Sequence, residues 1–275
     1  MQCRNNVGYA SQPYVGGKWL ICATPFQDTT GLSFKLNDLV TGFVTTDSVV
    51  DTPANMRVSN PYIQIQDRNP DGSIVGGTTD WYWCSDAFLD EEGNVTGPAW
   101  ADEDGCAAGG FYHPNVTIAP GTAFWFKDPA SATTMTLTIA GQVLGADTTP
   151  ITPTRNKWNL VCNPYPIALA LNSDKITWTG LTAATVDSPA NMRVANPYIQ
   201  IQDRNPDGTI VGGTKDWYWC TDAFLDEEGN VTGPAWADED GCAAGGPYNP
   251  NVTIPVGAGF WFKDPTSDVT ITWTK

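Results

Sequence analysis

From Tyr62 the stretch YIQIQ alternates: Ile63 and Ile65 fall on one side of an extended chain, and Tyr62, Gln64 and Gln66 on the other. TMTLTI does the same, with Met135, Leu137 and Ile139 between threonines. Half-buried strands read this way, one face on a core and the other in water. In DWYWC, Trp81 and Trp83 share one face and Tyr82 and Cys84 the opposite one. FWFKDP sets Phe124, Trp125 and Phe126 in succession, which reads as a strand buried on both sides or covered by a neighbour. Turn signals separate these runs: Asn-Pro-Asp-Gly, Glu-Glu-Gly-Asn, Glu-Asp-Gly and Ala-Pro-Gly. Helix is scarce, and SDAFLDEE supplies a turn or two at most. The pattern predicts an all-β fold.

The pattern is also written twice. PANMRVSNPYIQIQDRNPDG from Pro53 returns as PANMRVANPYIQIQDRNPDG from Pro189, an offset of 136 positions (189 − 53). The offset holds through DWYWC and GPAWADEDGCAAGG to FWFKDP at Phe124 and Phe260. Earlier the match loosens, KWLICATPF from Lys18 answering KWNLVCNPYP from Lys157. GADTTPITPTRN, rich in Thr and Pro, is the joint. Several short strands at this spacing predict two tandem homologous β-sandwich domains, or partly open barrels. One covers residues 1–145 with an N-terminal extension, the other 146–275 with its linker segment.

A formal charge of −16 argues against nucleic acid, whose phosphates would be repelled. It suits cations, basic partners and a solvated cell surface. No run of apolar residues is long enough for a membrane span. The opening MQCRNNVGYA shows no charged-then-apolar leader and reads as a mature N-terminus with an added Met.

Of seven cysteines, none forms a C-x-x-C pair, which disfavours a zinc ribbon. The spacing Cys84 to Cys106 recurs as Cys220 to Cys242 and predicts one disulfide per repeat. Such bonds imply an oxidising compartment, hence export; six buried free thiols are the alternative. The odd count leaves Cys3 as a candidate for an intermolecular bridge, with Cys22 and Cys162 as buried thiols or its partners.

DRNPDG has half of a calcium loop. Asp67, Asn69 and Asp71, and in the copy Asp203, Asn205 and Asp207, hold positions 1, 3 and 5, with Gly72 or Gly208 at the sharp turn. Position 12 is Thr78 or Thr214, so the closing carboxylate is missing, and Asp80 and Asp216 lie two residues further on. The alternative is a hairpin whose Asp and Asn side chains bond the turning backbone without an ion. A second cluster includes Asp90, Asp102 and Asp104, repeated as Asp226, Asp238 and Asp240. It reads as a solvated acidic rim or as a Ca2+ site.

The Trp81/Trp83 and Trp217/Trp219 pairs pose a similar choice, a sugar-stacking platform if exposed and packing pillars if buried. Asn94, Asn115, Asn230 and Asn251 each begin Asn-Val-Thr, the acceptor pattern for N-glycosylation, or simply turns that lead into strands. No catalytic constellation recurs. The only histidine, His113, is answered by Asn249, so no Ser-His or Cys-His pair is common to both repeats. Nothing singles out a carboxylate pair for glycoside hydrolysis. The chain reads as a non-enzyme.

KWNLVCNPYP, YIQIQD, DWYWCTDAFLD, GPAWADEDG and VGAGFWFKDP together resemble a group of exported bacterial tandem β-repeat proteins of the surface or extracellular space. That resemblance implies export and an all-β domain, and carries over no catalytic residue. The expectation is a secreted structural or surface protein. It would assemble head to tail into a filament if the joint pairs with the first domain's sheet and the N-terminal segment pairs likewise with another copy. The alternative is a calcium-dependent carbohydrate-binding module taking a polysaccharide partner.

Overall fold

The computed structural model describes residues 7–27, 34–38, 53–84, 98–106, 116–129, 134–182, 189–221, 234–242 and 252–275. The first repeat contributes β1 (Val7–Val15), β2 (Leu20–Ala23), β3 (Phe34–Lys35), α1 (Pro53–Ser59), β4 (Tyr62–Arg68), β5 (Ile74–Cys84), β6 (Ala99–Ala101), α2 (Glu103–Cys106), β7 (Thr117–Ile118), β8 (Ala123–Lys127) and β9 (Thr134–Gln142). The second contributes β10 (Thr148–Ile151), β11 (Asn159–Cys162), β12 (Leu169–Ala170), β13 (Ile176–Thr179), α3 (Pro189–Ala195), β14 (Tyr198–Arg204), β15 (Ile210–Cys220), β16 (Ala235–Ala237), α4 (Glu239–Cys242), β17 (Thr253–Ile254), β18 (Gly259–Lys263) and β19 (Thr270–Thr274). The fold is all-β, in several antiparallel sheets, none closed into a barrel.

Each repeat has a five-stranded sheet, ordered β2-β8-β4-β5-β6 in the first and β11-β18-β14-β15-β16 in the second. Period-two alternation decides which residues meet the core. Ile63, Trp81, Trp100, Phe124 and Phe126 turn to one side and pack on Ala10, Leu137 and Ile139 of the β1-β9 pair. The second repeat builds the same core from Ile199, Trp217, Trp236, Phe260 and Phe262 beneath the β10-β19-β13 sheet. The opposite face is covered too: Tyr62, Tyr82, Cys84 and Ala101 pack on Met56 of α1 and on Cys106 of α2. Sequence periodicity does not show α1 and α3. A seven-residue helix has no room for an apolar stripe, and it is anchored by one fully buried residue, Met56 or Met192. Pro53 or Pro189 at the first position costs nothing there, because its missing N–H has no helical acceptor.

Disulfides Cys84–Cys106 and Cys220–Cys242 tie the ends of β5 and β15 to α2 and α4. Cys22 and Cys162 are free and buried. The two are not counterparts, since Cys22 pairs with Phe124 whereas Cys162 pairs with Gly259, the counterpart of Ala123.

The repeats meet along a seam whose glutamine and edge-strand contacts are answered by their counterparts. Gln66 Oε1 accepts from Leu160 N at 2.7 Å while its Nε2 donates to Trp158 O at 2.8 Å. Gln202 does the same to Ile21 N (2.7 Å) and Trp19 O (2.9 Å). Ala23 N donates to Gly257 O, and Cys162 N to Gly121 O. Ile21, Ala23, Ala123, Leu160 and Cys162 form the apolar middle, where Trp125 touches Trp261. Gly259 allows this approach, for a Cβ there would lie 2.4 Å from that of Ala123.

Three expectations are corrected. Gln66 and Gln202 do not face water: each is 7% exposed and completes the edge strand of the other repeat. The joint does not pair with the first repeat's sheet, because β10 pairs with β19 in its own repeat. The N-terminal segment likewise lies in its own repeat, as β1 against β9.

Candidate functional site

The DRNPDG segments are hairpin tips. Gly72 N donates to Asn69 O, Asn69 N to Ser73 O, and Gly72 sits at φ 84°. The candidate ligand atoms serve the turn: Asp71 Oδ1 accepts from Ser73 N and Oγ, Asn69 Nδ2 donates to Ser73 Oγ, and Asp67 Oδ1 accepts from Thr79 Oγ1. Asp207 and Asn205 bind Thr209 in the same way. Asp203 has its Oδ2 beside Gly213. Those bonds hold the Asp71 and Asp207 carboxyls below the usual carboxylate range.

In the second cluster, Asp102 and Asp238 cap α2 and α4 by accepting from Gly105 N and Gly241 N. Asp104 and Asp240 are exposed, while Asp90 and Asp226 lie outside the described residues. Among the described residues no group of three or more His, Cys, Asp or Glu side chains is placed to hold a metal ion.

Sequence reasoning missed a charged nest on the outer face of the five-stranded sheet. Asp80, its side chain 4% exposed, takes an ion pair from Arg57 at 2.6 Å, and bonds from Gln64 Nε2 at 2.8 Å and Tyr82 OH at 3.0 Å. Asp216 is held alike by Arg193, Gln200 and Tyr218. The first nest opens on a cavity of about 310 Å³ lined by Thr78, Asp102, Glu103 and Asp104. The available signal was the strand register, which sets Gln64 opposite Asp80. With its oxygens satisfied, Asp80 serves chiefly to tie α1 to the sheet.

The Trp81/Trp83 and Trp217/Trp219 platforms are not assembled. Trp81 and Trp217 lie in the cores at 6% and 1% exposure, and Trp83 and Trp219 pack edge-on against Trp100 and Trp236. Trp19, Trp125, Trp261 and Trp158, half-buried like Trp83, Trp178 and Trp219, are in contact in that order along the seam. Lys127 and Lys263 lie over Trp19 and Trp158, so those two rings are partly covered. Cys3, His113, Asn249 and the four Asn-Val-Thr asparagines fall outside the described residues.

Burial raises the Tyr14 and Tyr82 phenols and pushes Tyr218 up to about 12; it also raises the Cys22 and Cys162 thiols. A raised folded pKa favours the neutral form. The stability these phenols contribute is complete below the unfolded value near 10 and lost as pH climbs through the folded values. The melting temperature should therefore fall between about pH 10 and 12. Phenolate absorbance of these tyrosines should appear together with unfolding, and a simple titration near pH 10 in the folded state would contradict the assignment.

Compared with protein-family models, curated proteins and solved structures, the chain matches none.

Proposed function

We propose that this chain is an exported structural module of a cell surface or extracellular material, its two repeats working as one stiff block. The seam carries the reading: each repeat leaves an edge strand that the other's glutamine and backbone complete, so neither half is a free-swinging binding unit. One disulfide per repeat suits an oxidising exterior. No helix among the described residues is long and apolar enough to cross a membrane.

Self-association remains part of the proposal, with β1 as acceptor rather than donor. Pro13 has no N–H, and its pairing with Thr136 puts the backbone groups of Val7, Tyr9 and Ser11 on the side of β1 away from β9. Among the described residues that side has no strand partner, and Tyr9 beside it is 74% exposed. Light scattering should show concentration-dependent association that Ser11→Pro abolishes, since the N–H removed is the one a second strand would use. A wild-type chain that stays monomeric at every concentration would remove the assembly reading.

A further inference from the structure

A row of aromatic rings runs end to end through the molecule, with the seam at its midpoint. In the first repeat Tyr82 touches Tyr62, Tyr62 touches Trp19, and Trp19 touches Trp125, with ring centroids 5.8, 5.1 and 5.6 Å apart. The second repeat answers with Tyr218, Tyr198, Trp158 and Trp261, spaced 6.1, 5.0 and 5.7 Å. Trp125 and Trp261 join the halves at 6.1 Å. Every step lies within the range of about 4.5–7 Å at which aromatic rings touch.

Indoles fill the middle of the row and phenols its ends. The indoles are half-buried and so partly open to solvent, whereas Tyr62 and Tyr198 are 4% exposed and Tyr82 and Tyr218 fully buried. The end phenols also have a base at hand. Tyr82 OH donates to Asp80 Oδ2 and Tyr218 OH to Asp216 Oδ2, both at 3.0 Å. Among the described residues Tyr62 and Tyr198 donate to no carboxylate. This difference decides where an electron is lost. An indole can give one up before its N–H proton leaves, but a phenol does so readily only when a base within hydrogen-bond reach takes the proton.

We propose that the row is a one-electron relay from the seam surface to the buried tyrosines. An oxidant of the peroxyl-radical class takes one electron from a seam indole and leaves as the peroxide anion. The indole radical cation then recovers an electron, through the touching rings, from Tyr82 or Tyr218. The O–H bond of that phenol breaks, its proton passes to Asp80 or Asp216, and a neutral tyrosyl radical remains beside a neutral carboxyl group. Lys127 and Lys263, lying over Trp19 and Trp158, disfavour a positive charge that stays there, so those two indoles are crossed rather than occupied. Tyr62 and Tyr198, lacking a base, act as bridges. A diffusible one-electron reductant of the enediol class returns the electron, and the carboxyl group returns the proton. The exposed indoles are thereby spared irreversible addition of oxygen.

The test is laser flash photolysis of the full chain with a ruthenium tris-bipyridine sensitiser and a hexaammineruthenium(III) quencher, read by transient absorption and electron spin resonance. Tyr9→Phe is the background, since Tyr9 is 74% exposed and open to direct oxidation. An indole radical is expected first, giving way to a tyrosyl radical at a rate independent of protein concentration and slower in deuterium oxide. Tyr82→Phe with Tyr218→Phe keeps the rings in touch, and should lose the tyrosyl signal and leave the indole radical long-lived. Asp80→Asn with Asp216→Asn removes only the base and should do the same. Because that pair also loosens α1 and α3, Trp19→Phe with Trp158→Phe provides a further arm, breaking the row while the phenols keep their carboxylates. Melting curves establish that each variant is folded. A tyrosyl radical that survives the tyrosine pair, forms without an indole precursor, persists unchanged in both other pairs, or rises in proportion to protein concentration would overturn the relay. So would its absence from the background chain.

Discussion

A chain carrying Gln202→Ala is expected to unfold with a stability lower by roughly 2–6 kcal/mol, measured by urea titration. The side chain satisfies two backbone groups of the other repeat, Ile21 N and Trp19 O, and alanine satisfies neither. Each buried backbone group left unpaired costs about 1–3 kcal/mol, which sets the range. Ile21 is fully buried, so water cannot readily replace the lost acceptor. Gln66→Ala should cost a similar amount, since it strands Leu160 N and Trp158 O. Gln202→Glu separates bonding from packing: it keeps the acceptor and shape, loses the donor and buries a charge, so it should also destabilise. A change below about 0.5 kcal/mol for either alanine variant, the level of an ordinary surface substitution, would mean that the seam is not held this way.

Removing the disulfides should cost about 3 kcal/mol for each bond, because each closes a loop of about 20 residues whose freedom returns to the unfolded chain. The sequence separation is 22 in both, so the two should contribute alike. Paired Cys84→Ala and Cys106→Ala exchange should lower the urea midpoint, and the matching pair in the second repeat should lower it further. Non-reducing peptide mapping should recover those two links and leave Cys22 and Cys162 unmodified until the chain unfolds, as both are fully buried. Labelling of Cys22 or Cys162 in the native protein would contradict the packing of the seam.

Alternation at Ile63 and Ile65 made the core face of β4 legible, and the shared spacing of four cysteines made the disulfides legible. Both are local signals whose physical cause lies in the same few residues. Trp125 suggested cover by a neighbour, and the neighbour is the other repeat's Trp261. The partners of Gln66 and Gln202 stayed hidden, because a glutamine on the outer face of a strand reads as solvated until another sheet is laid over it.

The reciprocal seam also fixes how far the repeat can be multiplied. In solenoids each unit offers a different face to the next, so the series can lengthen indefinitely. Here the surface that Gln202 presents to Ile21 is the one that Gln66 presents to Leu160, a like-with-like contact used up when two units have met. A third copy spliced onto the end would find that surface occupied and would hang as an unpaired domain, its own glutamine facing solvent. Repeats of this kind therefore join in pairs.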